Sequence, residues 1–219
     1  MARIVPGLGV RSYAADAAQR VRAAGHDVSL LRAPAWRGAP VDLESYGLVL
    51  AADLDARDEQ VDLLIGLSVG TQAAAAAAAV SDRVRRLLLV SPTVDPRLRS
   101  LPRLLWTWWR GNDGDGEPGF VEQVPDWAHA GVPRLVAGFL ATPRAEPLEA
   151  VLPMVQARVT VVRAEHDDLG TAGRAQQLAE AAGGRFVLRL DAPHSWPASD
   201  ADGFAAFVHG LIAEPVEVP

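Results

Sequence analysis

The sequence predicts an α/β fold: a mostly parallel, six-stranded sheet with helices on both faces, a three-layer sandwich. Short apolar segments typical of strands alternate along the chain with single helices. Strands joined by single helices form right-handed crossovers, which produce largely parallel sheets covered on both faces. At 219 residues the chain fits one domain with a substantial core.

The predicted strands are apolar or β-branched runs that end at turn-forming residues. They cover residues 2–5, 27–31, 61–65, 86–90, 159–162 and 186–190. The intervening helices are predicted to begin after a Ser12 cap, near Leu43, at Ser68, after a Thr171 cap, and after a cap at Ser199 or Asp200. The third helix contains seven consecutive alanines, which suit a helix packed closely on a sheet.

Residues 93–155 break this alternation with a tryptophan-rich stretch, several prolines and a predicted loop at 111–119. We therefore divide the chain into a core of residues 1–92 and 156–214, an insertion of residues 93–155 and a flexible tail of residues 215–219.

Composition argues against several classes of protein. The chain is 49% apolar with a net charge of −6 and scattered cationic residues, so neither nucleic acid nor a membrane surface is an expected partner. It has no cysteine, which excludes disulfides, thiolate zinc sites and a cysteine nucleophile. Met1 leads directly into a strand without the apolar stretch of a signal peptide, so we expect a cytoplasmic protein.

Residues 66–70 form a Gly-x-Ser-x-Gly motif between a buried strand and a helix. In such a motif the serine occupies a tight, strained turn, and the glycines let strand and helix pass closely. The Ser68 hydroxyl would then lie near a helix N-terminus, where developing negative charge is favoured. A serine that only caps the following helix would show the same motif, but the position between strand and helix favours a nucleophile.

A serine nucleophile needs a base, and the base needs an acid that orients it. Among the histidines, His194 follows the last strand, at the sheet edge where ligands bind in open α/β folds. The preceding strand runs into Asp167 and Asp168, which are both candidates for the acid. Glu165 is a poorer third, and Asp95 after the fourth strand is an outside alternative.

With these residues assembled, the chain resembles the α/β-hydrolase superfamily over essentially its whole length. The resemblance rests on the turn at 6–9, the motif at 66–70, the turn at 164–167 and the segment 193–197. The family acid usually ends a Gly-x-x-Asp turn, which favours Asp167 although Ala164 replaces the glycine. The family's first turn usually begins His-Gly, and Pro6 replaces that histidine, so the support of the Leu8 backbone donor is altered.

The resemblance implies a catalytic triad of Ser68, Asp167 and His194, and an oxyanion hole formed by the backbone N–H groups of Leu8 and Val69. It implies a serine hydrolase that cleaves a small carboxylic ester, thioester or lactone through an acyl-enzyme, without metal or organic cofactor. The alternatives are a C–C bond hydrolase, an acyltransferase and a non-catalytic ligand-binding protein of the same fold.

In the family, the insertion forms a lid that sets substrate choice. Four tryptophans of the insertion are therefore candidates to line the substrate pocket, although packing within the lid is the better explanation for them: Trp106, Trp108, Trp109 and Trp127. Trp196 is expected near the pocket because it lies beside His194. The family sheet usually has eight strands, and this chain starts where the third would be, which implies an exposed sheet edge that favours homodimerisation or covering by another element.

Overall fold

The computed structural model describes residues 1–93, 95, 100–111 and 120–215. Within these residues six parallel strands form one sheet in the order β2-β1-β3-β4-β5-β6. The strands are β1 (Ala2–Val5), β2 (Val28–Leu30), β3 (Leu63–Leu67), β4 (Arg86–Val90), β5 (Arg158–His166) and β6 (Arg185–Pro193). The predicted six-stranded α/β fold is confirmed.

Helices cover both faces of the sheet. The helices are α1 (Ser12–Ala23), α2 (Leu43–Ala56), α3 (Gly70–Val80), α4 (Leu101–Gly111), α5 (Phe120–Ala130), α6 (Val132–Ala141), α7 (Leu148–Val151), α8 (Ala172–Ala181), α9 (Trp196–Ser199) and α10 (Ala201–Ala213). Residues of α2, α3, α7 and α8 share one core with one face of the sheet. Residues of α1, α9 and α10 share a second core with the other face.

Helix α3 lies between the sheet and α2, and the alanine run makes this close packing possible. Most of its residues are buried. A Cβ atom built on Gly47 of α2 would lie 2.6 Å from Ala76 Cβ and 2.7 Å from the Ala73 carbonyl oxygen. The contact therefore requires small residues on both helices.

Several predicted element boundaries were wrong, among them those of α1 and β3. Helix α1 is capped at Arg11 without a side-chain hydrogen bond, rather than by Ser12. The N–H groups of Arg11 and Ser12 instead donate to Asp126 Oδ2 of α5, at 2.8 and 2.7 Å. Strand β3 does not stop at Gly66 but continues through Leu67. The predicted Thr171 cap is present and accepts a hydrogen bond from the Arg174 N–H.

The segment between β4 and β5 contains α4, α5, α6 and α7, which we call the inserted helices. The loop predicted there falls mostly on residues 112–119, outside the described residues, as does most of the predicted tail. None of the described helices has the length and apolar character that crossing a lipid bilayer would need.

Substitution of Gly47 by alanine should test the packing of α2 on α3. Alanine has the higher helix propensity by about 1 kcal/mol, yet overpacking at such a contact costs about 1–3 kcal/mol, so we expect net destabilisation. Gly210 of α10 provides the control, because a Cβ atom there meets nothing within 4 Å. Gly210→Ala should therefore raise the free energy of unfolding, measured by urea titration. If Gly47→Ala were equally stabilising, the close contact between α2 and α3 would be contradicted.

Candidate active site

Ser68 lies on the sharp turn between β3 and α3, with a positive φ of 53°. This left-handed conformation is unfavourable for a residue with a side chain, so the surrounding contacts must hold it. The Ser68 N–H donates to the Val90 carbonyl at 2.9 Å, and the Ser68 carbonyl accepts the Thr71 hydroxyl at 2.6 Å. The turn is thus fixed by the neighbouring strand β4 and by the first turn of α3.

The two glycines of the motif lie where no side chain fits. A Cβ atom on Gly66 would lie 2.6 Å from Thr71 Cα, and one on Gly70 would lie 2.5 Å from the Val5 carbonyl oxygen and clash with the Pro6 carbonyl. The glycines therefore let α3 fold back over the end of β3 and approach the end of β1. This confirms the steric reason given for the motif.

Ser68, His194 and Asp167 form a hydrogen-bonded chain at the carboxyl edge of the sheet. His194 Nε2 lies 2.9 Å from Ser68 Oγ, and His194 Nδ1 lies 2.8 Å from Asp167 Oδ1. Because an ionised carboxylate can only accept, Nδ1 carries the proton and Nε2 is left to accept the serine hydroxyl. Each residue follows a different strand: Ser68 follows β3, Asp167 follows β5 and His194 follows β6.

Asp167 is held ionised in a buried turn and is only 2% exposed. Burial by itself would raise the pKa of Asp167. The interaction with His194, the hydrogen bond from the Leu169 N–H at 2.8 Å and the charge of Arg163 lower the pKa by more than burial raises it, so the pKa lies below its usual range. Arg163 also donates to the backbone carbonyls of Gly170 at 2.9 Å and Asp167 at 2.7 Å. The turn that carries the acid is therefore fastened from within β5.

The other candidates for the acid have different surroundings. Asp168 is exposed and lines the cavity beside Ser68 rather than bonding to His194. Glu165 accepts the Asp191 N–H at 2.9 Å. Asp95 is buried beyond the end of β4. Of the two aspartates that the sequence left open, the geometry brings Asp167 to the histidine.

Among the described residues, His194 is the histidine that is hydrogen bonded to Ser68 Oγ. His26 and His209 are hydrogen bonded to each other at 2.7 Å on the surface, and the ring of His129 packs at a tilt against Trp36. His166 lines the rim of the cavity and, with Glu165 and Asp191, forms a group whose ligand atoms lie within 4.8 Å of one another. All three residues of that group are exposed, an arrangement common without a metal, so we assign none to it.

The turn after β1 leaves one backbone donor without a protein acceptor. The Gly7 N–H donates to the Tyr13 hydroxyl, the Gly9 N–H to the Pro34 carbonyl and the Val10 N–H to the Gly7 carbonyl. Pro6 has no N–H, so the Leu8 N–H alone has no acceptor among the described residues. The Val69 N–H, directly after Ser68, is in the same situation.

Leu8, Val69, Ser68 and His194 line a single cavity of about 110 Å³. The inserted helices contribute Leu104, Gln123, Trp127 and Phe139 to its wall, and Thr142, directly after α6, also lines it. The cavity thus lies between the carboxyl edge of the sheet and the inserted helices, and two unused backbone donors belong to the same wall as the serine. Such an arrangement can place a carbonyl carbon near the hydroxyl and its oxygen near the donors.

Of the predicted pocket tryptophans, Trp127 lines this cavity, whereas Trp196 and Trp106 do not. Trp196 is 1% exposed and packs edge-on against Phe204 and Phe207 in the core beneath β6, so its prediction as a pocket residue was wrong. Trp106 is 55% exposed and lies outside the lining residues. The side chains of Trp108 and Trp109 lie outside the described part of the chain.

Solved structures of low sequence identity share this architecture. An N-acyl homoserine lactone degrading enzyme, Est816, superposes with a TM-score of 0.75 at 16% identity, covering 95% of this chain and 92% of its own. The enol-lactonase from Burkholderia xenovorans gives a TM-score of 0.71 at 20% identity, covering 97% and 91%. The chain has the α/β-hydrolase fold.

The bromoperoxidase from Bacillus anthracis superposes equally well, with a TM-score of 0.75 at 13% identity, covering 97% of this chain and 92% of its own. No defined protein family and no curated protein sequence matches the chain. Because proteins with names as different as lactonase and bromoperoxidase share the α/β-hydrolase fold, the fold alone does not select a substrate.

Several residues that hold the site were missed by sequence reasoning. Arg163 fastens the acid turn, Asp126 holds the start of α1, and Trp36 Nε1 donates to the Gly9 carbonyl at 2.9 Å. An arginine inside an apolar strand is a signal that could have pointed to Arg163. Nothing in the local sequence connects Asp126 to Arg11, which lies 115 residues away.

The pKa of Asp167 gives a testable dependence of stability on pH. Because the folded pKa lies below the unfolded value of about 3.9, the ionised carboxylate stabilises the fold above about pH 4, and this contribution is lost as pH falls through the folded pKa. Asp167→Asn should therefore unfold more easily than the wild type at pH 7, and the difference should shrink below about pH 4. Urea titrations at several pH values measure both.

Asp168→Asn is the matched control, since this neighbouring side chain is exposed. Its effect on the free energy of unfolding should stay within about 0.5 kcal/mol at every pH. A difference for Asp167→Asn that does not change with pH would contradict the lowered pKa.

Proposed function

We propose that this chain is a hydrolase that cleaves a small carboxylic ester through an acyl-enzyme on Ser68. The observation that carries the proposal is the hydrogen-bonded chain from Ser68 Oγ through His194 to Asp167, with distances of 2.9 and 2.8 Å. This geometry is the one that a general base needs in order to take a proton from a nucleophile. The structural neighbours, among them lactone-degrading enzymes and an esterase, support a hydrolase.

In the first half of the proposed reaction, Ser68 Oγ attacks the ester carbonyl carbon while His194 Nε2 accepts the hydroxyl proton. The negative oxygen that develops is stabilised by the Leu8 and Val69 N–H groups and by the N-terminus of α3. The carbon–oxygen bond to the alcohol then breaks, and His194 returns the proton to the leaving alkoxide. Asp167 keeps the imidazole oriented and stabilises its charged form.

In the second half, water replaces the alcohol. His194 accepts a proton from the water as it attacks the acyl carbon, and the same two N–H groups stabilise the second tetrahedral oxyanion. Collapse releases the carboxylic acid and restores the Ser68 hydroxyl with the proton from His194. No step calls for a metal or an organic cofactor.

The dimensions of the cavity support a small substrate. The cavity beside Ser68 measures about 110 Å³, a size that suits a short acyl chain. Apolar side chains such as Leu104, Trp127, Phe139 and Leu169 form much of the wall. Lactones belong in the substrate panel as well, since two structural neighbours are named for lactone cleavage.

Replacement of Ser68 by alanine tests the proposed nucleophile. Ser68→Ala should reduce the hydrolysis of p-nitrophenyl acetate and butyrate to the rate without enzyme, because no other side chain forms the acyl intermediate. A fluorophosphonate probe should label the wild type at residue 68, located by mass spectrometry, and should not label the variant. Full esterase activity in Ser68→Ala would exclude the mechanism.

Asparagine variants at positions 167 and 168 test which of the two aspartates orients His194. Asp167→Asn should lower kcat by about 10²–10⁴, because the amide no longer stabilises the charged imidazole, whereas Asp168→Asn should change kcat less than about threefold. A wild type that binds esters but is neither labelled nor active would favour a non-catalytic binder. Faster product formation with an added alcohol would favour an acyltransferase.

A further inference from the structure

The Tyr13 hydroxyl lies at the turn that carries the unused Leu8 N–H. The Gly7 N–H donates to the Tyr13 oxygen at 3.0 Å, and Tyr13 also lines the cavity beside Ser68. A Cβ atom on Gly7 would clash with the Tyr13 oxygen and lie 3.6 Å from Ser68 Cβ. The phenol is thus in direct contact with the backbone that faces the candidate nucleophile.

The hydrogen bonds of Gly7 fix the direction of the Leu8 N–H. The peptide between Gly7 and Leu8 is planar and trans, so the Gly7 carbonyl and the Leu8 N–H point in opposite directions. The carbonyl is turned towards the Val10 N–H at 3.5 Å, which is a long contact. The shorter hydrogen bond, from the Gly7 N–H to the Tyr13 hydroxyl, holds the peptide between Pro6 and Gly7. The two hydrogen bonds together leave little freedom for rotation about Gly7.

The far end of the turn is held separately. The Gly9 N–H donates to the Pro34 carbonyl at 3.0 Å, and the Gly9 carbonyl accepts Trp36 Nε1 at 2.9 Å. Tyr13 is therefore the side chain that holds the end nearer to Ser68. The same turn begins with Pro6, at the position where the α/β-hydrolase superfamily usually has a histidine.

We infer that Tyr13 is a positioning residue, whose hydroxyl holds the Pro6–Gly9 turn so that the Leu8 N–H faces the oxyanion of the tetrahedral intermediate. The effect of Tyr13 on catalysis rests on the proposed function, whereas the hydrogen bond between Tyr13 and the turn does not depend on that function. Tyr13 acts through Gly7 and Leu8, and it keeps its own proton throughout the reaction.

The chain has two tyrosines, which provide a matched pair of variants. Tyr13→Phe removes the hydroxyl but keeps the ring, and it should lower kcat about tenfold while KM changes less than about twofold, because the oxyanion exists only in the transition state. Tyr46→Phe removes a hydroxyl that donates to the Arg32 carbonyl at 2.7 Å and does not line the cavity. It should leave kcat and KM unchanged.

A transition-state analogue separates positioning from a general loss of structure. A boronic acid adds to Ser68 and places an oxygen near the oxyanion donors, so its inhibition constant should rise in Tyr13→Phe by the same factor as kcat/KM falls. The same constant in Tyr46→Phe should match the wild type. Equal losses of kcat in both variants would assign Tyr13 a purely structural role and overturn the inference.

Amide hydrogen exchange provides a readout that does not need turnover. A peptide covering residues 5–12 should exchange faster in Tyr13→Phe than in the wild type, and it should be unchanged in Tyr46→Phe. Unchanged exchange together with unchanged kcat would overturn the inference while the proposed function stands. If the wild type is neither active nor labelled by a fluorophosphonate, the proposed function fails, and the exchange alone decides whether Tyr13 holds the turn.

Discussion

The site depends on the close approach of the first turn of α3 to the carboxyl end of β1. Gly70 lies so near the Val5 and Pro6 carbonyls that any side chain would force the two elements apart. This approach brings the Val69 N–H and the Leu8 N–H to the same cavity wall, although they belong to segments 61 residues apart. It also requires the sharp turn at Ser68, whose positive φ would be unfavourable without the bonds to Val90 and Thr71.

The parallel sheet assembles the rest of the site. In a parallel sheet the carboxyl ends of all strands lie at one edge, so the residues immediately after β1, β3, β5 and β6 meet there without any long loop. Asp167 is held by Arg163 from within its own strand, and His194 comes directly after β6. Rigid elements on either side explain how distances of 2.8 and 2.9 Å are maintained across three separate segments.

The sequence predicted the parts of this arrangement that depend on local pattern and chain order. The six strands are recognisable as apolar runs with turn residues at their ends, and the residues just after the strands show the order serine, acid, histidine. The prediction that Trp196 lines the pocket was wrong because the sequence does not show which way a side chain points. Trp196 lies two residues after His194, but it begins α9, and its side chain packs in the core against Phe204. The packing between β6 and α10 determines this direction. Sequence proximity to a functional residue says little about direction, because two residues along a helix, about half a turn, reverse it.

The inserted helices and the turn after β1 are linked through α1. Asp126 of α5 accepts the N–H groups of both Arg11 and Ser12, at 2.8 and 2.7 Å, where a side chain of the helix itself would usually provide the cap. The next residue of α1 is Tyr13, which holds Gly7, and the residue after Asp126 is Trp127, which lines the cavity. A change in the position of α5 would therefore affect the cavity wall and the turn that carries the Leu8 N–H together. Under the proposed function, the helix that shapes the pocket is coupled to the backbone donors of the oxyanion, so the choice of substrate and the stabilisation of that oxyanion would not be independent.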